Sequence, residues 1–143
     1  MSSIIDTLLN HPVHPMLVHF PVGLTGGALF FILVALIWQR AKILEKVAFA
    51  NISLAVPATV AAAIMGIADN ANRYAGNAAN HNLKIILAIT LFLIVTATSL
   101  YRWRKQDLFD DKSLRYVYVG AYVVSFAIAT TLGFLGGIIV FGK

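Results

Sequence analysis

Charged residues divide this chain into four long apolar stretches. No Asp, Glu, Lys or Arg occurs between Asp6 and Arg40, between Lys46 and Asp69, between Lys84 and Arg102, or between Arg115 and Lys143. A bilayer core of about 30 Å is crossed by roughly 20 predominantly apolar residues in helical form, so each stretch holds one spanning helix. The expected helices run over about 15–39, 46–68, 81–103 and 114–141. Closed barrels also satisfy the backbone in hydrocarbon, but their strands alternate apolar and polar residues, which these runs do not. The pattern therefore predicts an all-α integral membrane protein, with residues 1–143 forming a single up-down-up-down four-helix domain.

The basic residues orient the bundle. Arg40, Lys42 and Lys46 lie in the first connection, and Arg102, Arg104, Lys105, Lys112 and Arg115 lie in or beside the third. The second connection has Arg73, apart from Lys84 just inside the next helix, and the N-terminal tail has no Lys or Arg. By the positive-inside tendency both termini and the 69–80 loop face outward. Trp38, Tyr101, Trp103 and Tyr116 then cluster at the inner interface, as an aromatic belt does. The segment before the first helix lacks a basic n-region, so that helix is expected to stay attached rather than be cleaved as a signal.

Composition agrees, with 59% hydrophobic and 12% charged residues where soluble proteins carry about a quarter charged. The formal net charge of +5 sits in loops and helix ends, not in a patch interleaved with aromatics, so no nucleic-acid partner is expected. With no cysteine, disulfides, thiolate metal sites, iron–sulfur clusters and covalent c-type haem are excluded for this chain. Small-residue spacings at Gly23 and Gly27, at Ala58, Ala62 and Gly66, and at Gly133 and Gly137 are the kind that let helix backbones approach closely.

The candidate chemistry lies where the chain enters its first apolar run. His11-Pro12-Val13-His14-Pro15-Met16-Leu17-Val18-His19-Phe20-Pro21 holds three of the four histidines and three of the four prolines. An ionisable side chain at membrane depth is by default a candidate site. With this topology His11, His14 and His19 share the outer side with His81, which opens the third helix, and with Asp69, which ends the second. Proline near a first helical turn is also a helix-start signal, so for His11 a rigid polar entry is as good an account as a ligand. Pro21 has no backbone N–H, which frees the Leu17 carbonyl and is expected to bend the helix near His19. Gly23 and Gly26/Gly27 follow His19 at helical spacing and either leave room for a flat macrocycle or make a tight helix crossing. Asp69 either orients a ligating imidazole or pairs with Arg73.

Helices 1 and 3 are diagonal in an up-down bundle, about 13 Å apart when neighbours are about 9 Å apart. Two histidines reaching inward across that gap suit axial ligation of one haem iron. The gap is wide for a compact tetrahedral ion unless the His-Pro segment folds over the top. No Ser/His/Asp arrangement, Gly-rich phosphate loop or HExxH is present, and the helix interiors offer no chain of buried charges such as a proton pump needs. An autonomous enzyme or transporter is therefore not expected.

The run HPxHPxLVHFPxG at His11–Gly23, with Gly66-x-x-Asp69 and a lone His81, resembles a bacterial family of four-helix membrane proteins labelled domain of unknown function 2231. The likeness covers nearly the whole chain. Members look like small redox-associated modules of the bacterial inner (cytoplasmic) membrane, some joined to Rieske or cytochrome-type domains. The resemblance implies a b-type haem held by His14, His19 and His81, with Gly23 and Gly27 beside it and Asp69 in support. Three readings follow: an electron-transfer module or subunit at the periplasmic face; a non-redox site for copper, zinc or iron on the same histidines; and a structural subunit of a larger membrane complex. The partners implied are the lipid bilayer and a redox partner, a larger complex or further copies of the chain.

Overall fold

The computed structural model describes residues 13–38, 42–73, 75–77 and 80–141, with the side chains at 13–15, 73 and 139–141 outside the description. The described residues form four helices and no strand: α1 (Val13–Ile37), α2 (Lys42–Arg73), α3 (His81–Arg104) and α4 (Lys112–Phe141). All four are long and apolar enough to cross a membrane. Consecutive helices pack against each other and α4 closes back on α1, which leaves α1/α3 and α2/α4 as the diagonals.

One sequence period explains the packing. Buried positions fall at Pro21, Thr25, Ala28, Ile32 and Ala35 on α1, and at Glu45, Ala48, Ile52, Ala55 and Thr59 on α2. The same alternation of three and four continues at Leu91, Val95, Thr98 and Arg102 on α3 and at Tyr118, Tyr122, Ser125 and Ala129 on α4. A mean spacing of about 3.5 is the seam of helices crossing at about 20°. Because lipid is as apolar as leucine, such a seam is held by close approach, and alanine supplies much of it. Thr25, Thr59 and Thr98 join the core by donating their hydroxyls to carbonyls four residues back, at 2.6, 2.7 and 2.7 Å. That satisfies a buried donor without a second helix.

Helix α1 runs from 13 to 37 rather than 15 to 39, and the bounds of α2 and α4 also differ from the sequence expectation. Helix α2 starts at Lys42 rather than near 46 and runs to Arg73 rather than 68, so Asp69 lies within its last turns instead of ending it. The early start is possible because Glu45, in the first turn, has a buried partner. Helix α4 starts at Lys112 because Asp111 caps it, its Oδ1 accepting from the Ser113 N–H (3.0 Å) and hydroxyl (2.8 Å). These bonds, with Lys105 beside it, hold the Asp111 carboxyl at about 2, below the usual carboxylate range. Pro21 is accommodated inside α1, which continues through it.

Core closure is uneven along the bundle. Toward the α1–α2 and α3–α4 connections the interior is sealed, with Leu108 of the last connection buried beneath the helix ends. Toward the opposite end, none of the described residues at 16–20, 60–69, 81–90 or 130–138 is fully buried.

Candidate functional site

The histidine end is built from the inward stripes of the four helices. On α2 the stripe continues as Ala62, Gly66 and Asn70, on α3 as Ala88, Lys84 and His81, and on α4 as Gly133 and Gly136. Small side chains, Ala62, Gly66, Ala88 and Gly133, thus stand on these stripes at the end where His81 lies. A Cβ built on Gly136 or Gly137 would meet nothing within 4 Å.

His81 is half-buried, its Nε2 lying 3.2 Å from the Asn70 side-chain amide across the α2–α3 hairpin. The amide fixes the ring direction, and its own burial makes it an unusually committed partner. Asp69, next to Asn70, is half-buried and has a partner of its own.

His19 is placed differently. It is exposed, on the stripe of Met16, Gly23, Phe30 and Ile37 that faces away from the bundle. Gly23 shares that outward face, where an added Cβ meets nothing within 4 Å. The expected room inward of Gly26 and Gly27 is filled: a Cβ on Gly26 would lie 3.0 Å from the Phe126 ring and one on Gly27 would lie 3.5 Å from the Asn51 amide oxygen. These two are helix-contact glycines. His19 and His81 thus sit at the same end of diagonal helices but do not face each other. The His11 assignment lies outside the described residues, as does the His14 side chain. Among the described residues no group of three or more His, Cys, Asp or Glu is placed to hold a metal ion.

The opposite end holds a constellation that sequence reasoning missed. The Arg102 guanidinium forks onto Glu45, Nε to Oε1 at 2.6 Å and Nη2 to Oε2 at 2.9 Å. The Tyr118 hydroxyl donates to the same Oε1 at 3.1 Å and lies 2.7 Å from the Tyr122 hydroxyl. Phe49 lies under the guanidinium, 5.4 Å from its ring centroid. The constellation is a single buried ion pair with its hydroxyl partners. Three helices contribute, and each member sits on a seam position, which was the available signal.

A family model described as "Predicted membrane protein (DUF2231)" matches residues 10–143. The chain belongs to this family. No curated protein and no solved structure matches it. The DUF2231 match spans all four helices and the whole histidine run, beginning one residue before His11.

Proposed function

We infer that this DUF2231 protein is a membrane-embedded b-type haem module, serving electron transfer at the outer face of the bacterial inner membrane as a subunit or partner of a larger redox assembly. The observation that supports the reading is the histidine end, where the inward stripes of α2, α3 and α4 carry the small residues Ala62, Gly66, Ala88, Gly133 and Gly136 and His81 opens the helix diagonal to α1. A flat macrocycle suits a lining of that kind, and helices direct axial ligands more firmly than loops. When bound, haem would supply a one-electron couple. The chain's own contribution is to present His81, oriented by Asn70, and to exclude lipid and water through Ala62, Gly66, Ala88 and Gly133. Ligation through Nε2 requires the Asn70 amide to turn aside, or the other ring nitrogen to serve. His14 is the second axial ligand in this reading. His19 and Gly23, facing outward, suit a second centre or a contact with a partner.

Purified protein expressed with ample haem is expected to show a reducible Soret and α-band spectrum. That spectrum should be lost in His81→Ala and His14→Ala and little changed in His19→Ala. Colourless protein that retains stoichiometric copper, zinc or iron, lost in His81→Ala, would establish the metal-site reading instead. Protein that binds neither leaves the structural-subunit role.

The outward placement of the site rests on the basic connections. A reporter active only after export should be active when fused after Lys143. Activity of a cytoplasm-only reporter at that position would put the histidines on the inner side.

A further inference from the structure

Four cations at the end where α1 meets α2 and α3 meets α4 are occupied. Arg102 is forked onto Glu45, Lys42 and Lys105 pair with Asp110 and Asp111 at 3.3 Å, and Arg115 donates to the Phe109 carbonyl and lies over its ring. Lys46, Arg104 and Lys112 are exposed and make no hydrogen bond or ion pair with any described residue. Two of these three share a groove. Glu45 and Phe49 on α2 meet Arg102 on α3, and Asn70 meets His81, which fixes the facing sides of the two helices. Lys46 follows Glu45 by one residue and precedes Phe49 by three, which puts it on the outer rim of that contact. Trp103 follows Arg102 on the His81 side of α3 and forms the opposite rim, 70% exposed. The Glu45–Arg102 bond sets Lys46 and Trp103 within about 3 Å of one level along the bundle. Arg104 stands beside the indole on the outward face of α3. Glu45, the carboxylate of this contact, is spent on Arg102, and Asp107 lies three residues past Arg104 in the connection. Farther from the charged rim, Val60 on α2 and Ile85 and Ile89 on α3 continue the same outer side and are exposed.

We propose that this groove is a binding site for an anionic phospholipid, with its phosphate between Lys46 and Arg104, its glycerol level with the Trp103 indole and an acyl chain along the apolar rim. Two unpaired cations about an exposed indole, at the edge of an apolar span, present charge, a hydrogen-bond donor and hydrocarbon in the order in which such a lipid presents phosphate, ester and chain. A zwitterionic lipid brings its own cation and gains less from the pair. The groove lies at the opposite end of the bundle from His81 and does not depend on the haem reading.

Trp103 supplies the probe. Trp38 is exposed, so Trp38→Phe leaves the bundle intact and Trp103 as the remaining tryptophan, quenched on contact by lipid with brominated acyl chains. In mixed bilayers at low salt, brominated phosphatidylglycerol should occupy the quenching position about 25-fold better than brominated phosphatidylcholine, from about fivefold for each cation near the surface. Lys46→Gln and Arg104→Gln should each lower that preference about fivefold, and salt at about 1 M should remove most of it. Lys112→Gln, which removes an unpaired cation of the same end on the helix diagonal to α2, should leave it unchanged. Equal quenching by the two lipids overturns the proposal. A loss in Lys112→Gln as large as in Lys46→Gln does so too, since the end would then attract anionic lipid by net charge without a site. Abolition of the preference by inorganic phosphate at constant ionic strength would assign the two cations to a soluble anion and equally overturn the lipid.

Discussion

Glu45→Ala is expected to destabilise the bundle by about 3–5 kcal/mol, the cost of leaving a buried guanidinium without its carboxylate. The side chains of Glu45 and Arg102 are only 5% and 10% exposed, so water cannot take over the lost bonds. Arg102→Ala should cost a similar amount, since it strands the carboxylate and leaves Tyr118 as its remaining described donor. The double variant Glu45→Leu/Arg102→Leu should recover most of the loss, because two apolar side chains on the seam remove the desolvation penalty together. Tyr118→Phe deletes a single hydrogen bond and should cost about 1 kcal/mol. Denaturant titration in a mild detergent, followed by tryptophan fluorescence, would measure all four. Single variants within about 0.5 kcal/mol of wild type would show that the pair is hydrated and carries no packing role.

The second large effect concerns the glycines of α1. Gly26→Leu is expected to cost about 1–3 kcal/mol or to prevent assembly, since even a Cβ there comes within 3.0 Å of Phe126. Gly23→Leu should be close to neutral in the isolated protein, because that position looks away from the bundle. Gly27→Leu belongs with Gly26, its side chain being driven into Asn51 on α2. The same denaturation measurement separates them. A loss at Gly23 equal to that at Gly26 would mean that another chain covers the outward face of α1.

The four helices were legible because lipid tolerates so few charges that their positions mark the connections. The diagonal pairing of α1 with α3 was legible too, from short connections between antiparallel neighbours. The facing of individual side chains was not. His19 and Gly23 read as an inward pair because a glycine one turn along suggests room, yet the seam of α1 runs through Pro21 and Thr25, half a turn away. Arg102 was read as a basic residue beside the third connection that sets orientation, and Glu45 drew no reading at all. Their pairing depends on α2 and α3 being adjacent at that depth, which spacing within either helix cannot reveal. Lys84 was read only as a charge just inside the third helix, and its position on the line of Leu91 and Val95 was not drawn from the spacing.

A bundle cross-linked by charge at one end and loosely closed at the other has a preferred place to breathe. Separating the helices near Glu45 requires breaking a forked ion pair and the Tyr118–Glu45 hydrogen bond at once. Separating them near Gly136 breaks the His81–Asn70 contact but no forked ion pair among the described residues. Partial openings should therefore begin at the histidine end and cost far less than global unfolding. A bulky planar guest could then slip sideways between helices, with the opposite end acting as the fulcrum, and the speed of its exchange would be set by that local parting.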